Sequence, residues 1–113
     1  MSRDGLGEFE HLVLLAILRN GGEAYSVPIV VELEQRTGRS VAPAAVYIAL
    51  RRLEKRGLLK SRMVENDAET GRPRRYFVLE EQALEKLREA RQTLASLWDG
   101  MDAVLEGGRA GRR

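Results

Sequence analysis

The sequence predicts a mainly α fold that carries one small β-hairpin and closes on a long C-terminal helix. Three observations lead there. A basic, helix-forming run, APAAVYIALRRLEKRGLL, occupies Ala42 to Leu59. Two stretches of β-favouring residues follow it, separated by a polar turn within NDAETGRPRRYF. From Glu81 to Glu106 helix formers then dominate. With 113 residues, the chain has room for one small domain and an appended element, and a second, catalytic domain does not fit.

In chain order, Met1 to Gly7 read as a frayed start, and Glu8 to Asn20 as a helix stopped by Gly21-Gly22. Its run Leu12 to Leu18 is apolar on more than one face, so contact beyond a single core is expected, with the last helix or with a second subunit. Ser26 is placed to cap a second helix with Pro28 in its first turn, a stripe of Ile29, Val30 and Leu33, and an end near Gly38. Ala42-Pro43 start the third helix, where the missing proline N–H costs little, and Gly57 stops it. Val46, Ala49, Leu50 and Leu53 share one face of that helix; Ala44, Ile48, Arg51 and Lys55 share the nearly opposite one. One face packs and the other is presented.

Leu58 to Val64 and Arg75 to Leu79 read as the hairpin strands, joined by a long loop containing Gly71 and Pro73. In the last helix Leu84, Leu87, Arg91, Leu94, Trp98, Met101 and Leu105 step by three and four, an apolar seam broken only by Arg91. A Gly/Arg tail, 107–113, is expected to be disordered. The whole outline is that of a winged helix-turn-helix over 1–80, with a dimerisation helix over 81–106.

Composition narrows the function. Hydrophobic residues make up 43% and charged residues 32%, a globular balance, and the net charge is only +2. The cations are unevenly placed: Arg51, Arg52, Lys55, Arg56, Lys60 and Arg62 share their window with a single acid, Glu54. That local field points to a polyanionic partner, double-stranded DNA. The chain has no cysteine, which excludes disulfides, thiolate metal sites and a cysteine nucleophile and fits a reducing, cytoplasmic setting. The apolar run Leu12–Leu18 is far too short to span a bilayer, and the acids before it are unlike a signal peptide, so no membrane role is expected. His11 stands alone without a second ligand, and no nucleophile and base, phosphate-cradling loop or convergent carboxylate pair is legible. Neither catalysis nor a cofactor is expected.

A helix in the major groove offers its N-terminal half to base edges while arginines farther along meet phosphates. Here Pro43, Ala44, Tyr47 and Ile48 come first and Arg51 and Lys55 follow, so readout would lean on Arg51, Tyr47 and DNA shape. Arg72, Arg74 and Arg75 sit on a proline-stiffened loop able to enter a minor groove, while Glu65, Asp67 and Glu69 would oppose phosphate and are assigned to the loop's far side. Trp98 on the seam either packs an interface or lines a pocket for a flat, aromatic effector. Leu12, Leu15, Leu87, Leu94, Trp98, Met101 and Leu105 are the candidate dimer contacts.

Tyr25, the run Ala44 to Leu59 with its Tyr-x-x-Leu-x-x-Leu-x-x-x-Gly-Leu spacing, and Arg74-Arg75-Tyr76-Phe77-Val78-Leu79 beyond the wing resemble a PadR-family transcriptional regulator over roughly residues 6 to 106. The resemblance implies a homodimeric repressor whose first and last helices form the dimer, with DNA contacts from Tyr25, Tyr47, Arg51 and the wing arginines Arg72, Arg74 and Arg75. It also implies the short subgroup, some of whose members respond to aromatic or drug-like compounds. Ala42 to Ala45 and Ile48 replace a start that in the family is often Ser/Thr-rich. Leu79-Glu80-Glu81-Gln82-Ala83 replaces the usual Leu-Thr-x-x-Gly, which predicts an uninterrupted start to the last helix. Two other readings stand beside a repressor: a winged-helix module that binds an acidic protein, and an architectural DNA binder of weak sequence preference.

Overall fold

The structure, a computed structural model, describes residues 5–107. The expected frayed start at 1–4 and the expected tail beyond Gly107 lie outside the described residues. In order come α1 (Glu8–Arg19), β1 (Glu23–Ala24), α2 (Ser26–Thr37), α3 (Pro43–Lys55), β2 (Leu59–Val64), β3 (Arg74–Leu79), α4 (Glu81–Trp98) and α5 (Asp102–Leu105). The strands form one antiparallel sheet in the order β1-β3-β2. A helical layer backed by this small sheet is a winged helix.

Local chemistry sets the boundaries. The Glu10 carboxylate accepts from the Gly7 N–H at 3.3 Å, meeting one of the unpaired donors at the start of α1. Asn20 Nδ2 closes the other end on the Ala16 carbonyl at 2.8 Å. The following turn uses left-handed Gly21 and Gly22, a conformation costly for any side chain. It brings the Gly22 carbonyl to the Leu79 N–H at 2.9 Å and lets Glu23 and Ala24 pair with Val78 and Phe77. That two-residue strand is too short to carry a readable period. Helix α2 starts one residue earlier than expected: Tyr25 holds the N-cap position with no side-chain cap, and Ser26 is already helical. Pro43 opens α3 as expected, and Gly57 (φ 80°) ends it, with the Leu58 N–H returning to the Leu53 carbonyl at 3.0 Å.

The core draws on every layer. Val13, Leu14 and Ile17 of α1, Ile29 and Leu33 of α2, and Val46, Ala49, Leu50 and Leu53 of α3 are buried with Leu58, Leu59 and Phe77. Ala83 and Leu87 bring the first half of α4 into the same core. Strand passes to helix through Glu80 alone. From Arg91 onward every described residue is exposed, so the distal half of α4 projects from the domain and the molecule measures 62 × 29 × 21 Å.

A further expectation is corrected. The last helix is not continuous to Glu106: it stops at Trp98, Asp99 turns extended (ψ 120°), and Gly100 takes a left-handed conformation (φ 80°) before the single turn of α5. Asp and Gly are both poor in a helix interior, and no tertiary packing here opposes the break. Met101 and Leu105 therefore lie beyond the straight seam.

Candidate nucleic-acid interface

Helix α3 divides as its periodicity requires. Val46, Ala49, Leu50 and Leu53 are buried, whereas Pro43, Ala44, Ala45, Tyr47, Ile48, Arg51, Arg52 and Lys55 are exposed. Tyr47 is held with its ring edge-on to Phe77, centroids 6.1 Å apart, and the Arg51 guanidinium donates to its hydroxyl at 3.3 Å. Arg51 also lies 3.4 Å from a carboxylate oxygen of Glu54. The bond to Tyr47 comes first among the influences that hold the Arg51 guanidinium above its ordinary range. Two side chains expected to meet DNA are thus ordered against one another before any partner arrives.

The hairpin sorts its cations by strand alternation. Side chains of a strand point alternately to its two faces, and the register pairs Ser61 with Phe77, Arg62 with Tyr76 and Val64 with Arg74. Arg75 shares the face of buried Phe77 and Ser61, toward α3. There Arg75 Nη1 donates to Ser61 Oγ at 2.9 Å, and that hydroxyl donates to Glu54 at 2.6 Å. Arg74, Tyr76 and Arg62 share the other face. The arginines adjacent in sequence therefore serve opposite sides of the wing.

On that other face Arg74 is enclosed, its side chain 14% exposed. It pairs with Asp67 at 3.0 Å and Glu69 at 3.2 Å, and its guanidinium lies 3.6 Å from the centroid of Tyr25. The Tyr76 hydroxyl donates to Asp67 at 2.7 Å, and Tyr25 meets Tyr76 edge-on at 5.4 Å. Arg62 covers the Tyr76 ring at 5.2 Å and bonds Glu23 at 2.8 Å. The bond from Tyr76 holds the Asp67 carboxyl below the ordinary aspartate range, with Arg74 adding to it, and raises the Tyr76 phenol in turn. Asp67 lies with Arg74 and Tyr76 on this face, away from the Phe77 side of the hairpin. It is the only buried charged side chain among the described residues.

The expected site residues are therefore placed in two environments. Tyr47, Ile48, Arg51 and Lys55 are presented on α3, and Arg72 stands exposed on the wing loop. Tyr25 and Arg74 are bound into the aromatic and ionic cluster, and Arg75 is tied to Ser61. Asp67, Glu54 and Ser61, which organise these arginines, were not among the expected residues. A short Asp-to-Tyr spacing across a turn is the one sequence signal that could have pointed to the first.

A second feature lies between α1 and α4. His11, Leu15, Leu18, Leu84, Leu87, Arg88, Arg91, Leu94 and Ala95 line an open cleft of about 570 Å³. Leu15, Leu18 and Leu94 are exposed there, and Leu97, Trp98, Met101, Val104 and Leu105 continue the apolar surface along the projecting end. Leu12 faces the core side instead, and Leu87 is already 7% exposed within the single chain. Leu18, Leu97 and Val104 extend the surface beyond the seven expected contacts. No helix among the described residues is long and apolar enough to cross a membrane, and no group of three or more His, Cys, Asp or Glu side chains among them could hold a metal.

Comparison with known proteins adds to this geometry. The model of the transcriptional regulator PadR-like family matches residues 14–89. No curated protein matches the chain. A PadR-family transcriptional regulator from Eggerthella lenta is 29% identical, with 89% of this chain and 88% of that one covered at a TM-score of 0.67. A PadR-like transcriptional regulator from Bacillus cereus is similar in fold, at 22% identity, coverage of 88% and 93%, and a TM-score of 0.70. A winged-helix DNA-binding protein from STIV shares the fold at 17% identity, coverage of 77% and 87%, and a TM-score of 0.61.

Proposed function

The chain belongs to the PadR-like family of transcriptional regulators, and from that membership we propose that it is a homodimeric, sequence-specific, cytoplasmic repressor whose hold on DNA is relieved by a small aromatic molecule. Family members are transcriptional regulators and not enzymes. The observation that carries the DNA-binding part is the division of α3: an entirely apolar buried face fixes the helix, and Tyr47, Ile48, Arg51, Arg52 and Lys55 stand outward on it. In this reading α3 enters a major groove, with Pro43, Ala44, Tyr47 and Ile48 against base edges and Arg51 and Lys55 toward phosphates. Arg72 reaches from the wing toward the backbone or minor groove. Arg75 supports it from the α3 side, and Tyr25 and Arg74 act through the cluster that holds the wing.

The dimer is supported by the apolar surface of α1 and α4, since a contiguous apolar patch rimmed by arginines is characteristic of an interface. Leu15, Leu94, Trp98, Met101 and Leu105 would lie at its centre, with Leu12 and Leu87 as their packing base. A two-fold dimer presents its two α3 helices to half-sites about 34 Å apart, one helical turn of duplex. Trp98 beside the cleft is the group on which a flat effector would stack.

The test is fluorescence anisotropy of the purified protein with a duplex from its own upstream region, at two salt concentrations and with excess unrelated DNA. Tight binding that resists the competitor and weakens with salt is expected. Binding abolished by competitor would make it an architectural protein, and no binding at either salt would favour an acidic protein partner for the α3 face.

A further inference from the structure

We infer that Asp67 is a positioning residue for DNA binding: an acid built into the wing whose task is to close the loop and present Arg72, though its own charge opposes phosphate. The inference rests on the DNA-binding reading above. An acid near a polyanion is ordinarily a liability, and a solvated one would turn away. Asp67 instead is buried, with 6% of its surface exposed, in a loop whose other members are almost all exposed.

Its bonds explain the position. Through its backbone, Asp67 donates to the Arg72 carbonyl at 3.1 Å and accepts from the Gly71 N–H at 2.7 Å, which pinches the loop into a closed turn with Gly71 left-handed (φ 71°). Through its side chain, it accepts from the Glu69 N–H at 3.1 Å and from the Tyr76 hydroxyl at 2.7 Å, and it pairs with Arg74 at 3.0 Å. One residue thus joins the loop to the strand that carries Tyr76. Through Arg74 on the Tyr25 ring, it also joins the loop to the start of α2. The neutralised pair leaves Arg72 as the exposed cation of the loop, held at the residue whose carbonyl Asp67 grips. A flexible loop would lose the backbone entropy around that arginine on every binding event; a closed one has lost it already.

Simple electrostatics and this inference predict opposite signs. Removing a negative charge from a DNA-facing loop should tighten binding and steepen its salt dependence. If Asp67 positions Arg72, Asp67→Asn weakens binding about tenfold, the loss of a charge-assisted hydrogen-bond set, and flattens the salt dependence. The experiment compares full-length wild type, Asp67→Asn, Arg72→Ala and the double variant on the same upstream duplex, with amide hydrogen exchange of the free proteins read at Glu69 and Gly71. Expected are faster exchange at both amides in Asp67→Asn, weaker binding, and little further loss when Arg72→Ala is added. Unchanged exchange overturns the inference whatever the DNA result, as does binding equal to or tighter than wild type. So does a full, additive cost of Arg72→Ala in the Asp67→Asn background, the signature of general destabilisation. If wild type binds no duplex at all, the regulator reading fails, while the exchange measurement still decides whether Asp67 closes the loop.

Discussion

Arg51 and Arg74 show how little the identity of a side chain says before its neighbours are known. Both lie in basic segments, yet one is presented with a tyrosine and the other is enclosed by two acids and a ring. Arg51→Ala should weaken DNA binding about tenfold while leaving the oligomeric state unchanged, measured by anisotropy and sedimentation; unaltered affinity would remove α3's outer face from the proposal. A pH prediction follows from Asp67. Because its carboxyl titrates below the ordinary range when folded, it stabilises the fold above the range of an unfolded aspartate, and that stabilisation is lost as pH falls through its lowered value. The stability gap between wild type and Asp67→Asn, read by urea unfolding, should therefore be largest near neutrality and shrink under acid. A gap constant from pH 7 to pH 3 would mean that the charge of Asp67 contributes nothing. The inward and outward residues of α3 were legible in sequence because helical period is geometric. The fate of Arg74 was not, since ring stacking and ion pairing across a loop leave no period to read.

At the level of elements, the boundaries marked by glycine and proline were the readable ones. Pro43, Gly38 and Gly57 punctuate the helices where backbone sterics say they should, and Gly57→Ala, at φ 80°, should cost about 1 kcal/mol by urea unfolding. No loss of stability would show the helix stop to be set by Leu58 instead. The short strand β1 escaped because two residues paired to a distant strand carry no local pattern. The split at Asp99-Gly100 escaped for a different reason: the three-and-four spacing of apolar residues persists through it, and spacing alone does not register a left-handed glycine. Core substitution is simpler to forecast. Phe77 joins sheet, α3 and core with 1% exposure, and Phe77→Ala should destabilise by about 3 to 5 kcal/mol in the same assay.

Over the whole molecule, the projecting half of α4 sets the question of assembly. A row of exposed leucines, methionine and tryptophan on an arm with no buried side chain among the described residues is expected to be covered by a second copy. A charge placed in that surface, as in Leu94→Lys, should yield a folded monomer with weakened DNA affinity, since two half-sites held by one linked pair bind far more tightly than either alone. Sedimentation and circular dichroism together check this, and a dimer surviving the substitution would move the interface elsewhere. The cleft's existence was foreseeable from α1 being apolar on two sides. Its extent was not, because Leu18 and Leu97 fall outside a strict seam.

The opposite duties of Arg74 and Arg75 also constrain how this wing can change over time. A strand's faces exchange with each residue gained or lost, so a one-residue slip caused by a deletion between Pro73 and Phe77 would turn Phe77 to the outer face and put Val78 in its core position. Strand length is therefore frozen by the interior. Between Asp67 and Arg72 the loop is pinned at both ends by a single residue, so length there is restricted as well. Divergence in what such a wing recognises is left to substitutions at exposed positions such as Arg72, and related chains should differ at the tip in composition far more than in number of residues.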